Sequence, residues 1–165
     1  MRKILHAEMV LLTPDGKTSA PIQITYDDND VTPNPASEIL LLYNGQEYRG
    51  SGTDYLWTDT FADLERKLPK GVKLACCMTC HHGNMCPYGN TENLLFCTKD
   101  LTITGKEDLC DLFDQTDPFH GRSVASFDCC HDFAYQSHDH FTYNDFLYQL
   151  NQKSQEGTPC GTASP

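Results

Sequence analysis

The chain has 165 residues, of which 39% are apolar, and its formal net charge is -11. This length suits one domain or a small pair of domains and is enough to bury a hydrophobic core. The charge is uneven, because residues 76–165 carry four Lys and Arg against twelve Asp and Glu. Neutralisation of phosphates dominates nucleic-acid affinity, so this acidic half argues against DNA, RNA and anionic membranes as partners.

No stretch of the sequence reaches the roughly 18 to 20 uninterrupted apolar residues of a membrane helix. The chain begins with a basic Met-Arg-Lys, as signal peptides do, but His6 and Glu8 interrupt the apolar region that would have to follow. We therefore expect a soluble, cytoplasmic protein. The acidic surface is compatible with a protein partner that has a basic surface, although a solvated surface that favours solubility is the interpretation that we favour.

Residues 1–75 show the signals of an α+β unit. Apolar and polar residues alternate over residues 5–11 and again over residues 20–26, on either side of a Pro-Asp-Gly turn, which predicts a β-hairpin. A third strand is predicted over Glu38–Tyr43. Asn44-Gly45 is a strong signal for a second hairpin and leads into a short strand that ends at Tyr48.

We expect the stretch Gly50-Ser51-Gly52 to break the sheet and a helix to follow it. Thr53 or Asp54 can cap the start of this helix. Its apolar residues recur at helical spacing: Trp57, Phe61, Leu64 and Leu68. A further strand over residues 72–76 has alternate residues on one face, and Cys76 is predicted to be buried there.

The sequence changes character at residue 76. Eight of the nine cysteines fall between Cys76 and Cys130, among many turn signals and without long apolar periodicity. A short helix is predicted over Glu107–Phe113. A terminal helix is predicted over Phe141–Lys153, from a capping box formed by Thr142 and Asp145. Apolar burial alone does not offset the chain entropy of so loop-rich a segment, so we expect a bound metal to stabilise it.

The predicted fold is therefore α+β, in three parts. Residues 1–75 form a small antiparallel sheet with one packed amphipathic helix. Residues 76–153 form a loop-rich cysteine region that is stapled by a metal and ends in a short C-terminal helix. Residues 154–165, which include Cys160, are expected to be a disordered tail.

Clustered cysteines in a cytoplasmic chain are typical of metal ligands or redox groups rather than of disulfides. The motif Cys77-Met-Thr-Cys80 has the C-x-x-C spacing with which two thiolates from one tight loop bind one metal ion or cluster. A site with four soft ligands needs two more cysteines from further along the chain. We predict that Cys97 and Cys130 provide them.

Other side chains remain alternatives for one of these four positions: Cys86, Cys110, His81, His82 and His131. Cys129 is expected to pack rather than to bind metal, because adjacent cysteines seldom reach the same ion. His138, Asp139 and His140 have the side chains for a second ion, although a solvated acidic turn is the interpretation that we favour.

The cysteine region resembles a known class of proteins. The C-x-x-C motif, the aromatic–cysteine pair Phe96-Cys97 and the C-x-x-F run that ends at Phe133 occur in an order similar to that of small bacterial cysteine-rich proteins of the high-potential iron–sulfur type. These include the small subunits that accompany glycyl-radical decarboxylases and benzylsuccinate synthase. The resemblance covers about residues 77–133 and implies an iron–sulfur cluster or a zinc ion on four cysteines: Cys77, Cys80, Cys97 and Cys130.

Only metal binding is carried over from this resemblance, and not the partner enzyme. The interval from Cys97 to Cys130 is longer than in that class, and residues 1–75 lie outside the pattern. Four thiolates suit zinc and an iron–sulfur cluster alike, and we favour structural zinc.

The expected function is that of a small metal-binding protein that acts through protein–protein interaction. One alternative is an iron–sulfur accessory or electron-transfer subunit, and another is a metal-free thiol redox protein that uses Cys77 and Cys80. A catalytic cysteine needs a base and an orienting carboxylate within reach. Cys130, His131 and Asp132 supply these groups, but as sequence neighbours their side chains diverge, so no catalytic residue is predicted and we favour a protein that is not an enzyme.

Overall fold

The computed structural model describes residues 2–27, 37–53, 57–88, 95–115 and 121–152. The first part of the chain forms five strands and one helix: β1 (Arg2–Thr13), β2 (Gly16–Asp27), β3 (Ser37–Tyr43), β4 (Gln46–Gly52), α1 (Thr58–Lys67) and β5 (Lys73–Ala75). The second part contains shorter elements: a 3₁₀ turn (Cys77–Thr79), β6 (Gly83–Met85), β7 (Leu95–Cys97), α2 (Lys106–Phe113), β8 (Ser123–Val124) and α3 (Phe146–Asn151). The predicted α+β class is confirmed.

The first five strands form one antiparallel sheet in the order β4-β3-β2-β1-β5. Both predicted hairpins are confirmed. Pro14 and Asp15 join β1 to β2, and Thr13 pairs with Gly16 across this two-residue turn. Asn44 and Gly45 join β3 to β4 with φ of 51° and 75°, the left-handed conformation that a tight hairpin turn requires.

Helix α1 packs against the β4 side of the sheet, and this contact corrects two expectations. The sheet is not broken at Gly50, because β4 continues to Gly52. A Cβ atom at Gly50 would lie 2.4 Å from the carbonyl oxygen of Thr60, so glycine here allows the helix to approach the strand. Thr53 does not cap α1, whose N-cap is Trp57 with a φ of 63°, and Asp54 lies outside the described residues.

Side chains of α1 also bond to the outer edge of β4. The backbone N–H of Ser51 donates to Asp63 Oδ2 at 2.9 Å. Just beyond the strand, the N–H of Thr53 donates to Asp59 Oδ2 at 2.7 Å. The ammonium of Lys67 donates to the backbone oxygen of Arg49 at 2.9 Å. Two outward backbone groups of β4, the N–H of Ser51 and the carbonyl oxygen of Arg49, are therefore satisfied from within the same chain.

The hydrophobic core does not stop at residue 75. Its buried members from the first part of the chain include Met9, Leu11, Ile24, Ile39, Leu41, Phe61 and Leu64. The same core contains Met78, Met85, Leu95 and Phe146 from the second part. Cys76 is fully buried in it, as predicted. The boundary at residue 75 is therefore a change in sequence character within one continuous core.

The cysteine region contains more regular structure than expected. A second antiparallel sheet, in the order β6-β7-β8, was not predicted. Helix α2 agrees with the predicted helix over Glu107–Phe113. Helix α3 begins at Phe146 rather than at Phe141, because Thr142 Oγ1 donates to the carbonyl oxygen of His81 at 3.0 Å instead of capping a helix. The predicted disordered tail lies outside the described residues.

In the part of the chain that the structure describes, none of the helices combines the length and the apolar character needed to cross a membrane.

Candidate metal centre

The C-x-x-C motif forms a tight loop directly after β5. Cys77 opens the 3₁₀ turn, the N–H of Cys80 donates to the carbonyl oxygen of Cys77 at 3.3 Å, and the N–H of Gly83 donates to that of Cys80 at 3.0 Å. A Cβ atom at Gly83 would lie only 2.0 Å from the Cys77 carbonyl oxygen. Glycine is therefore required at this position for the loop to close.

Backbone hydrogen bonds tie this loop to the segment that carries the last cysteines. The N–H of Cys77 donates to the carbonyl oxygen of Asp128 at 2.6 Å. The N–H of His81 donates to that of Ala134 at 2.8 Å. On β7, the N–H of Cys97 donates to the carbonyl oxygen of Arg122 at 2.8 Å. Three segments that are distant in sequence thus meet in one place.

Five cysteines line a small cavity where these segments meet: Cys77, Cys80, Cys97, Cys129 and Cys130. The remaining lining residues are His82, Gly83, Val124 and Phe133. The four cysteines predicted as ligands are therefore brought together. The cavity has a volume of about 10 Å³, which is roughly the space that a single water molecule needs.

Cys129 is the residue that the sequence analysis did not select. Its side chain is half-buried and lines the same cavity as that of the more exposed Cys130. Turns in the backbone on either side of the pair explain why Cys129 and Cys130 can both line the cavity. The N–H of Asp128 donates to the carbonyl oxygen of Ala125, and the N–H of Phe133 donates to the carbonyl oxygen of Cys130. The backbone therefore forms one turn before the cysteine pair and another that begins at Cys130.

Most of the alternative ligands lie elsewhere. Cys86 is buried in a separate apolar cluster with Phe96 and two residues of α2. His131 is 86% exposed and its Nε2 lies 3.2 Å from Asp132. Neither these two residues nor Cys110 and His81 line the cavity, whereas His82 does. Cys160 lies outside the described residues.

The two thiols of the C-x-x-C motif have raised pKa values. Burial raises the pKa of Cys77, and the neighbouring thiols raise it further. Burial also raises the pKa of Cys80, against the effect of hydrogen bonds from the backbone of Ala134 and His82. Ionising several thiols together would place like charges in an apolar cavity, and a bound cation would remove that repulsion.

The chemistry of the donor set fits a metal ion such as zinc. The eight cysteines among the described residues are all free thiols, and thiolates are preferred ligands of zinc and of iron–sulfur clusters. In the described ranges, no group of three or more His, Cys, Asp or Glu side chains stands in a position to hold a metal ion. Five cysteines nevertheless line one cavity together.

A second group of side chains lies next to this cavity. The ring of His81 lies 3.9 Å from that of His82 and 4.9 Å from that of His140, measured between ring centroids. The three imidazoles line a groove of about 220 Å³ together with Phe141 and Thr98. Burial lowers the pKa of both His81 and His82, so neutral imidazole is favoured. His82 is shared between the groove and the cysteine cavity.

Comparisons with protein-family models, curated proteins and solved structures gave no match to this chain.

Proposed function

We propose that this chain is a small cytoplasmic metal-binding protein with one metal ion on the cysteines that line the cavity. Cys77, Cys80 and Cys97 would provide three ligands, and the Cys129–Cys130 pair the fourth, with Cys130 as the residue expected from the sequence. The observation that carries this proposal is the meeting of five thiols from three distant segments around one cavity.

The metal's role in this proposal is structural. An ion on these thiolates would crosslink the turn after β5, strand β7 and residues 129–130, which otherwise meet through a few backbone hydrogen bonds. Structural zinc sites supply folding free energy in this way, because the ligands are brought together only in the folded state.

Two features favour a single zinc ion over the alternatives. The cavity of about 10 Å³ suits one ion, whereas an iron–sulfur cluster would require the surrounding segments to move apart. A thiol redox protein needs at least one thiol with a lowered pKa. Burial raises the pKa of both Cys77 and Cys80, which does not favour that alternative.

We further propose that the protein acts through contact with another protein that presents a basic surface. Residues 76–165 carry eight more acidic than basic side chains. Exposed Asp and Glu residues steer association with cationic surfaces and disfavour phosphate-rich ones. This part of the proposal does not depend on which metal is bound.

The test is elemental analysis and absorption spectroscopy of the full chain, purified without air and without added metal. We expect close to one zinc per chain and no visible absorption. Replacement of Cys80 or Cys97 by Ser should abolish metal binding, and Cys110→Ser, on α2 away from the cavity, is the matched control. Visible absorption with bound iron would support the cluster alternative, and metal-free protein with an ordered cysteine region would contradict metal binding altogether.

The Cys129–Cys130 pair needs its own variants. If either thiol can complete the site, Cys129→Ser and Cys130→Ser should each retain metal, and only the double variant should lose it. Loss of metal in Cys130→Ser alone would assign the fourth position to Cys130.

A further inference from the structure

The outer edge of β1 is open over most of its length. Strand β2 pairs with all of β1, from Arg2 to Thr13. On the other side of β1, strand β5 pairs only with residues 10–12. No other described strand pairs with β1. Residues 2–8 therefore offer an edge for pairing with another strand.

The hairpin turn determines which backbone groups face this edge. Thr13 pairs with Gly16 across a two-residue turn, and the residues that flank such a turn form a hydrogen-bonded pair. The β5 side agrees, because the N–H of Leu74, opposite Leu11, donates to Glu65 rather than to β1. Bonding alternates along an antiparallel strand. The odd-numbered residues of β1 therefore bond to β2, and the even-numbered residues direct their N–H and C=O groups to the outer edge. Val10 and Leu12 use these groups for β5.

Four residues remain with outward backbone groups: Arg2, Ile4, His6 and Glu8. We propose that two copies of this chain pair through this edge in an antiparallel arrangement with the two-fold axis at Leu5, which joins two five-stranded sheets into one. Arg2 then lies opposite the second copy's Glu8, and Ile4 opposite the second copy's His6.

This register is the one that satisfies the whole edge. An axis at Ile4 would leave the backbone groups of Glu8 unpaired. An axis at His6 would place Arg2 opposite Val10, which β5 already occupies. The axis at Leu5 pairs all four outward residues. Strand β5 does not extend along this edge, because the N–H of Cys77, the second residue after the strand, donates to the carbonyl oxygen of Asp128.

Charge complementarity supports the same register. The side chains of Arg2 and Glu8 are both exposed and lie on the same face of the sheet. Two-fold symmetry brings Arg2 and Glu8 together twice, and opposite charges in directly facing positions stabilise a strand pair, whereas like charges destabilise it. Asp27 of β2 lies opposite Arg2 on its other side, so Arg2 would sit between two carboxylates. Ile4, 59% exposed in the single chain, would gain a neighbour.

The experiment is sedimentation analysis of the full chain over a range of concentrations, with two kinds of variant. His6→Pro removes an outward N–H without removing a bond to β2, so the variant should fold but pair at least about tenfold more weakly. Glu8→Arg places like charges in facing positions twice and should weaken pairing by about tenfold or more. The double variant R2E/E8R restores opposite charges and should restore pairing.

Asp15→Arg, at the exposed hairpin turn, makes the same charge change away from the edge and should not alter pairing. Circular dichroism of each variant verifies that it has folded. A wild-type chain that is monomeric up to its solubility limit would overturn the proposal, whether because another segment covers the edge or because the edge stays unpaired. A dimer that is indifferent to both His6→Pro and Glu8→Arg would also overturn it, because another surface would then be the interface.

Discussion

The sheet half (residues 2–75) and the cysteine half (residues 76–152) become ordered by different means. In the sheet half, β1 and β2 are each 12 residues long and pair over their full length. In the cysteine half, no described strand exceeds three residues. A segment with so few backbone ladders must be held by side chains, and the structure shows which ones.

Three amide side chains, two of them buried and that of Asn144 half-buried, hold the cysteine half together. The Nδ2 of Asn144 donates to the carbonyl oxygen of Gly83 at 2.6 Å, and its Oδ1 accepts from Gln136 at 2.9 Å. Gln136 also donates to the carbonyl oxygen of Met78 at 2.9 Å. Asn84 accepts the N–H of Tyr143 at 2.6 Å and donates to Thr98 at 2.9 Å. These bonds replace the ladders of a longer sheet, so this half is held together by contacts that need no metal.

The largest expected effect comes from removing the metal. A chelator, under reducing conditions, should reduce amide protection in residues 77–136 strongly, because structural metal binding is coupled to folding. Protection in β1 to β3 should largely persist, with some loss because Met78 and Met85 belong to the shared core. Hydrogen exchange with and without chelator measures this. An equal loss everywhere would show one cooperative unit, and no change would contradict metal binding.

A second test inserts one methyl group into the loop of the cysteine half. Gly83→Ala places a Cβ atom 2.0 Å from the Cys77 carbonyl oxygen, and such overpacking should cost about 3 kcal/mol of unfolding free energy. Gly105→Ala is the control, because nothing lies within 4 Å of its Cβ position. Urea denaturation compares the two variants. Equal stability in both would mean that the loop has room that the structure does not show.

A third test measures the amide network. Asn144→Ala removes four side-chain hydrogen bonds at partly buried positions and leaves groups of their partners unsatisfied, so we expect a loss of about 2–3 kcal/mol. Asn151→Ala, at the exposed end of α3, should cost little. If the two variants unfold at the same denaturant concentration, the network does not hold this half together, and the metal alone would have to do so.

The smallest effect concerns the contact between the halves. Glu65 of α1 is buried, accepts the N–H of Leu74 at 2.9 Å, and accepts a hydrogen bond from Tyr135 of the cysteine half. Burial raises the pKa of this carboxyl above its ordinary value. The folded state therefore binds this proton more tightly than the unfolded state, and the resulting stability is present at low pH and lost as pH rises through the folded pKa.

Comparison of wild type with Glu65→Gln isolates this contribution. The stability advantage of the wild type over Glu65→Gln should shrink as pH rises from below the ordinary pKa of a glutamate through the raised pKa of Glu65. Glu47→Gln, which removes an exposed carboxylate of β4 away from this contact, is the matched control. Parallel profiles for Glu65→Gln and the wild type would show that the Glu65 carboxyl does not titrate differently in the folded state.

The sheet half could be predicted well because its signals are local. Alternation with a period of two fixed the buried face of β1, and the Asn44-Gly45 pair fixed a turn that needs positive φ. The errors there came from long-range contacts. The sequence predicts a break in the strand at Gly50, but the strand continues there. The absence of a side chain at Gly50 allows α1 to approach β4 closely, and no local sequence pattern indicates that contact.

The cysteine half was predictable in its chemistry but not in its architecture. The C-x-x-C spacing singled out the first two cavity cysteines, and Cys97 and Cys130 do line the same cavity. Cys129, which is expected to pack, lines this cavity as well, and whether it binds metal stays untested. Helix α3 begins later than predicted because Thr142, whose side chain suits a helix cap, donates instead to the carbonyl oxygen of His81, 61 positions earlier. Whether the cavity binds metal stays a prediction.

The covered edge of β4 also bears on aggregation. Edge-to-edge growth into a fibre needs two free edges on every molecule, one for each neighbour. Here Asp59 and Asp63 occupy the N–H groups of Thr53 and Ser51. Because these N–H groups are occupied, the β4 edge is a poorer template for another strand than an open edge would be. Losing the two carboxylates would free both N–H groups, so we expect edge-to-edge growth to become more favourable.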